Sequence, residues 1–258
     1  TLQGQEEKLQ EKDKGEVSFS MPTYVFFKDN EYIGQTAYGY TLPGFRIKPI
    51  ISFQPLKNLS LSLGMSVLKY WGADIYPCYN YVTVPRYSDT NTQKGFHHLP
   101  FFRVNYQVNS KMNFILGDII NTQHHYLSEP LFNEELVYSE DDEEGLQLLY
   151  NGTYLQNDIW LNWQNFNFYN DVDREALLLG IAGKIKPINK KISVSIPYSF
   201  IWQHHGGELD TLTNVPLDHW SNGSLGLTLS YDLNKKYLSK ITGDFSYFFS
   251  KDLKNDTW

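Results

Sequence analysis

Residues 58–71 read NLSLSLGMSVLKYW, and their alternation decides the fold. Leu59, Leu61, Leu63, Met65 and Val67 share one parity; Ser60, Ser62, Gly64 and Ser66 share the other. In a strand, successive side chains point to opposite faces, so this segment has one apolar face and one face of small polar groups. A soluble sheet normally turns Lys, Glu and Thr to water. A bare serine face closing on Tyr70 and Trp71 points instead to an apolar face that meets lipid and a serine face that lines a lumen.

The pattern recurs along the chain. Phe45, Ile47, Ile51 and Phe53 oppose Arg46, Lys48, Ser52 and Gln54; Phe102, Val104, Tyr106 and Val108 oppose Arg103, Asn105 and Gln107. Ile159, Leu161 and Trp163 oppose Asn162 and Gln164, while Ile192, Val194 and Ile196 oppose Ser193 and Ser195. Period two fits these windows and helical spacing does not. Roughly eleven such strands follow if EVSFSMPTYVFF is the first, each long enough to cross a bilayer. They are joined alternately by tight turns (54–58, 109–111, 156–157, 189–191, 232–237) and long polar loops (72–97, 121–144, 169–175, 203–221). That sorting is the habit of an outer-membrane barrel, with periplasmic turns and outer loops. Aromatic residues at strand ends (Tyr70, Trp71, Phe166, Phe168, Tyr169, Trp202, Trp220 and Tyr247 to Phe249) read as interfacial girdles.

Composition agrees. Aromatics make up 16% of the 258 residues, and the net charge of −7 argues against a nucleic-acid partner held on a basic face. A lone cysteine, Cys78, excludes an internal disulfide. Apolar runs never reach the length of a membrane-spanning helix. The expected fold is therefore all-β: a transmembrane antiparallel up-and-down β-barrel of about 12 or more strands. Residues 1–16 form a polar periplasmic tail and 17–258 the barrel. Because KITGDFSYFFS (240–250) counts as an odd-numbered upstroke, the even-strand rule predicts either one or more strands beyond Trp258 or a different assignment of the N-terminal strand, the first being favoured.

The stretches YTLPGFRIKPIISFQPLKNLSLSLGMSVLKYWG, GFHHLPFFRVNYQV, LSEPLFNEELVY and EEGLQLLYNGTYLQNDIWLNWQNF resemble an uncharacterised family of porin-like outer-membrane barrels from Bacteroidota. The resemblance covers most of residues 38–231. It implies residence in the bacterial outer membrane and contact with its lipids and lipopolysaccharide, and transfers no active site.

Three constellations stand out. All seven histidines fall at the predicted outer rim, six of them in adjacent pairs. Parity turns His97 and His205 inward, and pairing across the 109–111 turn adds His125. With Glu208 and Asp210 nearby, these residues would suit a divalent ion, Zn²⁺ or Ca²⁺. The competing reading is that histidine, like Tyr and Trp, tolerates an interface and hydrogen-bonds loops there. The acidic outer loop carries Glu134, Glu135, Glu140, Asp141, Asp142, Glu143 and Glu144 without the spacing of an EF-hand; it reads as a solvated tip, the alternative being loose Ca²⁺ binding or a negative mouth that concentrates cations. The polar parities assign a lumen lining of Ser60, Ser62, Ser66, Arg103, Asn105, Gln107, Ser193 and Ser195.

Asp118 and Asp158 lie on strands, but no serine is flanked in a way that marks a nucleophile, and no phosphate-binding glycine loop occurs. The expectation is that the protein is not an enzyme. A passive channel for small polar solutes follows from the polar lining. The alternative is a non-conducting accessory subunit of a larger complex with other outer-membrane or periplasmic proteins, motivated by the tyrosine-rich loop 72–97 and the polar tail.

Overall fold

The structure, a computed structural model, describes residues 14–33, 38–71, 96–132, 142–165, 175–206, 218–233 and 235–252. Among them, thirteen antiparallel strands form one sheet. They are β1 (Val17–Ser20), β2 (Thr23–Ile33), β3 (Tyr38–Ile47), β4 (Ile50–Leu56), β5 (Leu59–Tyr70), β6 (Phe96–Asn109) and β7 (Met112–Asp118). Then follow β8 (Glu144–Asn151), β9 (Leu155–Asn165), β10 (Ala176–Asn189), β11 (Ile192–His205), β12 (Asp218–Asp232) and β13 (Lys240–Asp252).

The first four are two spanning strands, each broken once. β1 pairs with β4 and β2 with β3, while both β3 and β4 pair with β5. The breaks fall at Pro22 and Pro49, where a missing N–H cannot serve the ladder. The Lys48 amide still donates to the Pro22 carbonyl at 2.9 Å, and the Met65 amide to the Pro49 carbonyl at 3.2 Å. Merging the two pairs leaves the eleven traverses that the alternation predicts. From β5 to β13 each strand pairs with the next in sequence, an up-and-down meander. No helix among the described residues is long and apolar enough to cross a membrane.

β5 has the predicted polarity. Leu61, Leu63 and Met65 are exposed, Leu63 by 68%, whereas Ser66 is buried and Ser60 and Ser62 are half-buried. The same holds along β12 and β13, where Leu225, Leu227, Leu229, Phe245 and Tyr247 stand outward. Twelve residues of β5 rise about 40 Å, enough to cross an apolar layer of about 30 Å at a tilt. Tyr70 corrects the girdle expectation: it is 1% exposed, because its parity follows Ser66 and Leu68 inward. Trp71 is exposed, as a girdle residue should be.

The sheet curls about its polar face. Arg46 in β3 and Asp142, two residues before β8, are four strands apart in sheet order, about 19 Å along a flat sheet. Their side chains nonetheless meet at 3.2 Å. Among the described residues β13 pairs with β12 alone, and β2 with β3 alone.

Candidate functional site

After β7, residues 119–127 fold back into the curl. A 3-10 helix covers Thr122–Tyr126 and a second covers Glu129–Leu131. His124, His125 and Tyr126 have φ of 49°, 54° and 62°, three consecutive left-handed residues without a glycine. Each costs on the order of 1–2 kcal/mol against the right-handed form. Packing of Tyr126 and Leu127 against the buried cluster of Ile119, Trp160 and Ala182 holds the turn in place. Its consequence is the placement of His125, whose side chain is 2% exposed.

His125 sits between two carboxylates. Its Nδ1 lies 2.7 Å from Asp158 Oδ2 and its Nε2 lies 2.8 Å from Glu143 Oε2. The ring stacks on Trp160 at 4.1 Å with planes 8° apart. Gln147 ties the loop to the strands: its Oε1 accepts from the Ile120 amide and its Nε2 donates to the Ile120 carbonyl, each at 2.8 Å. That Nε2 also donates to Asp158 at 2.9 Å. Asp158, Trp160 and Gln147 are all inward residues of β8 and β9, where polar parity places them. Burial pushes the imidazole toward neutrality, but Glu143 and Asp158 together outweigh it and raise His125 to about pKa 9. A histidine oriented on one nitrogen by a buried acid, with its other nitrogen on a second carboxylate, is equipped to accept and return a proton.

A second polar centre is joined to the first through the chain, since Asp142 precedes Glu143. Arg46 Nη1 donates to Asp142 Oδ1 at 3.2 Å, and Lys48 Nζ donates to the same oxygen. Burial alone would raise Asp142, yet Lys48 and Arg46, with a bond from Ser66, hold it below the usual carboxylate range. Nearby, Arg103 Nε donates to the Asp118 carbonyl at 2.6 Å, and the Asp118 carboxylate accepts the Phe102 amide at 2.7 Å.

The residues singled out in sequence are thus partly regrouped. Asp142 and Glu143 do not belong to a solvated tip: their side chains are 11% and 19% exposed, on cations and an imidazole from distant segments. Glu144 begins β8, and Glu134, Glu135, Glu140 and Asp141 lie outside the described residues. His125 does turn inward, but from a 3-10 turn and onto Asp158 and Glu143. His205 ends β11, against Gln203 and the edge of Trp220. His97 lies on β6 opposite Leu68; its side chain, with Glu208 and Asp210, lies outside the described residues. Among the described residues no three His, Cys, Asp or Glu side chains are grouped to hold a metal ion. Of the assigned lining, Asn105 and Ser66 are buried, while Ser60, Ser62, Arg103, Gln107, Ser193 and Ser195 are half-buried. Sequence reasoning placed Asp158 on a strand but gave it no role, and missed Gln147 and Trp160. The available signal was Trp160 itself, an aromatic on the polar parity of β9.

A family model described as Lipid A 3'-O-deacylase-type matches residues 9–258. Comparison with curated proteins and with solved structures gives no match. The family match fits the outer-membrane barrel resemblance but not its porin-like part. It also corrects the two functional expectations, passive channel and accessory subunit, and the expectation of no enzymatic activity, since the family is named for a hydrolytic reaction. The absence of a flanked serine misled because a histidine–carboxylate site can be assembled from segments with no shared local motif.

Proposed function

Because the chain belongs to the lipid A 3'-O-deacylase-type family, we propose that it hydrolyses an ester-linked acyl chain of lipid A at the outer membrane. The observation that carries this reading is His125, buried inside the curl and held between Asp158 and Glu143. The reaction joins a water oxygen to the acyl carbonyl carbon and breaks the bond from that carbon to the sugar oxygen. A proton must leave the water as it attacks and must reach the sugar oxygen as it departs.

His125 and Glu143 serve that traffic. Asp158 keeps a proton on Nδ1 and fixes the ring, so Nε2 is the working nitrogen, freed to accept a proton as pH rises toward about 9. The proton from water enters the His125–Glu143 pair and is handed to the leaving hydroxyl. Trp160 braces the ring from beneath, and Gln147 holds Asp158 in register with the loop. The apolar outer wall leaves the substrate's acyl chains in the bilayer while its sugar reaches the polar interior, which suits a lipid already resident there. Lipopolysaccharide is on this reading the substrate rather than a bystander.

The test is incubation of the purified protein with lipid A, followed by mass spectrometry. Loss of one ester-linked acyl chain, with release of the free acid and no loss in H125A, is the expected result. An unchanged lipid with folded wild-type protein would sink the proposal.

A further inference from the structure

Arg46 is more than nine-tenths buried, yet only one of its three guanidinium nitrogens is engaged. Nη1 is committed to Asp142, and Nε and Nη2 are buried with no hydrogen-bond partner among the described residues. Those two nitrogens form the side-on fork of the guanidinium, the edge that matches two oxygens of a phosphate or carboxylate. An unsatisfied buried donor is costly, and two on one fork in a native interior ask for an anionic partner. The surroundings favour one. Two cations, Arg46 and Lys48, converge on one oxygen of Asp142, and Arg103 acts both on Lys48 and on the neighbouring Asp118.

The fork is also in the right place. Asp142, which anchors Arg46, and Glu143, which contacts His125, are consecutive, with Cα atoms about 3.8 Å apart. The fork and the acid–base pair are therefore tethered to two adjacent residues of one segment. We propose that the side-on fork of Arg46, supported by Lys48, is a phosphate subsite that holds the sugar phosphate of lipid A beside the ester to be cleaved. This rests on the deacylase reading for the identity of the lipid, and on the fork for the anion. A phosphate on the carbon next to the acylated one would fix the sugar in the orientation that presents its ester to His125. Lys48 adds charge without geometry, as a point cation.

Two measurements separate this from the parent reading. Isothermal titration of folded protein with inorganic phosphate should show binding that R46Q loses and R46K keeps in part; no binding to wild type overturns the subsite, whatever the enzyme does to lipids. Kinetics then compare lipid A with and without its sugar phosphates. Wild type should favour the phosphorylated lipid by at least about tenfold in kcat/KM, the effect residing in KM, and R46Q should bring that ratio toward unity. If R46Q misfolds, R46K, with the charge but not the fork, should show a ratio between the two. Equal use of both lipids by wild type, with phosphate still bound, would mean a site for free phosphate and overturn the lipid assignment. Hydrolysis of neither lipid, with phosphate bound through Arg46, refutes the deacylase reading and leaves the anion subsite standing.

Discussion

Replacing Gly180 with Ala should cripple the site without touching any of its polar atoms. Gly180 pairs with Trp160 across β9 and β10, and the indole lies over the glycine. A Cβ there would stand 2.2 Å from Trp160 Cζ2 and 2.4 Å from both Cε2 and Cη2. Ordinary carbon contacts begin near 3.5 Å, so the ring would have to yield by about 1 Å or more. It has little room, being 2% exposed with His125 stacked on it. The displacement passes into the imidazole and off the line to Asp158. Overpacking of this kind costs about 1–3 kcal/mol, and a displacement of about 1 Å at a reacting group costs about a hundredfold in rate. The assay is deacylation of lipid A by G180A, with heat-modifiable gel migration reporting the barrel. Gly243→Ala on β13, where a Cβ meets nothing within 4 Å, is the control and should behave as wild type. A G180A protein with wild-type kcat/KM would refute the claim that Trp160 braces the base.

Asp158→Asn removes the orienting charge and should lower kcat by about a hundredfold or more, with a stability loss of about 3–5 kcal/mol as an upper range for a broken buried pair; chemical denaturation and turnover measure the two. Glu143→Gln withdraws a carboxylate that raises His125, so the acid limb of the pH–rate profile should move to lower pH; a profile that does not move would remove Glu143 from the proton path. In linkage terms, His125 is raised from 6.5 to about 9 on folding, so its contribution to stability is complete below 6.5 and is lost as pH rises through about 9. Thermal melts of wild type should fall across that window, and melts of H125A should not. Single cysteines placed at Ser110 and Tyr138 test the orientation on intact cells with an impermeant reagent; labelling at 138 with silence at 110 is expected, and the reverse would invert the barrel.

Much of the fold was legible because its signal is local. The alternation of Leu59 to Val67 needs no knowledge of any other strand to predict which side faces lipid. Tyr70 shows the limit of residue type as a guide: an aromatic at a strand end suggests a girdle, but parity sends it inward with Ser66. The site was legible only in pieces. Parity marked His125 as inward, and Arg46 and Lys48 as lumen-facing. Their partners were hidden by separation, since Asp142 follows Arg46 by 96 residues and Asp158 follows His125 by 33. Charge clustering made 134–144 look solvated because the cations that receive Asp142 belong to another wall of the curl. A left-handed run at His124 to Tyr126 has no sequence signature, since glycine is absent from it.

The stack of His125 on Trp160 has an optical side. An imidazolium held face to face with an indole at 4.1 Å is an efficient electron acceptor from the excited ring, whereas the neutral imidazole is a poor one. Trp160 emission should therefore be dark while His125 is protonated and brighten as the proton leaves near pH 9. The difference between wild type and W160F isolates that emission from the other five tryptophans. The protonation state of the base is thus written in light that the protein emits by itself, and can be followed during turnover with no label attached.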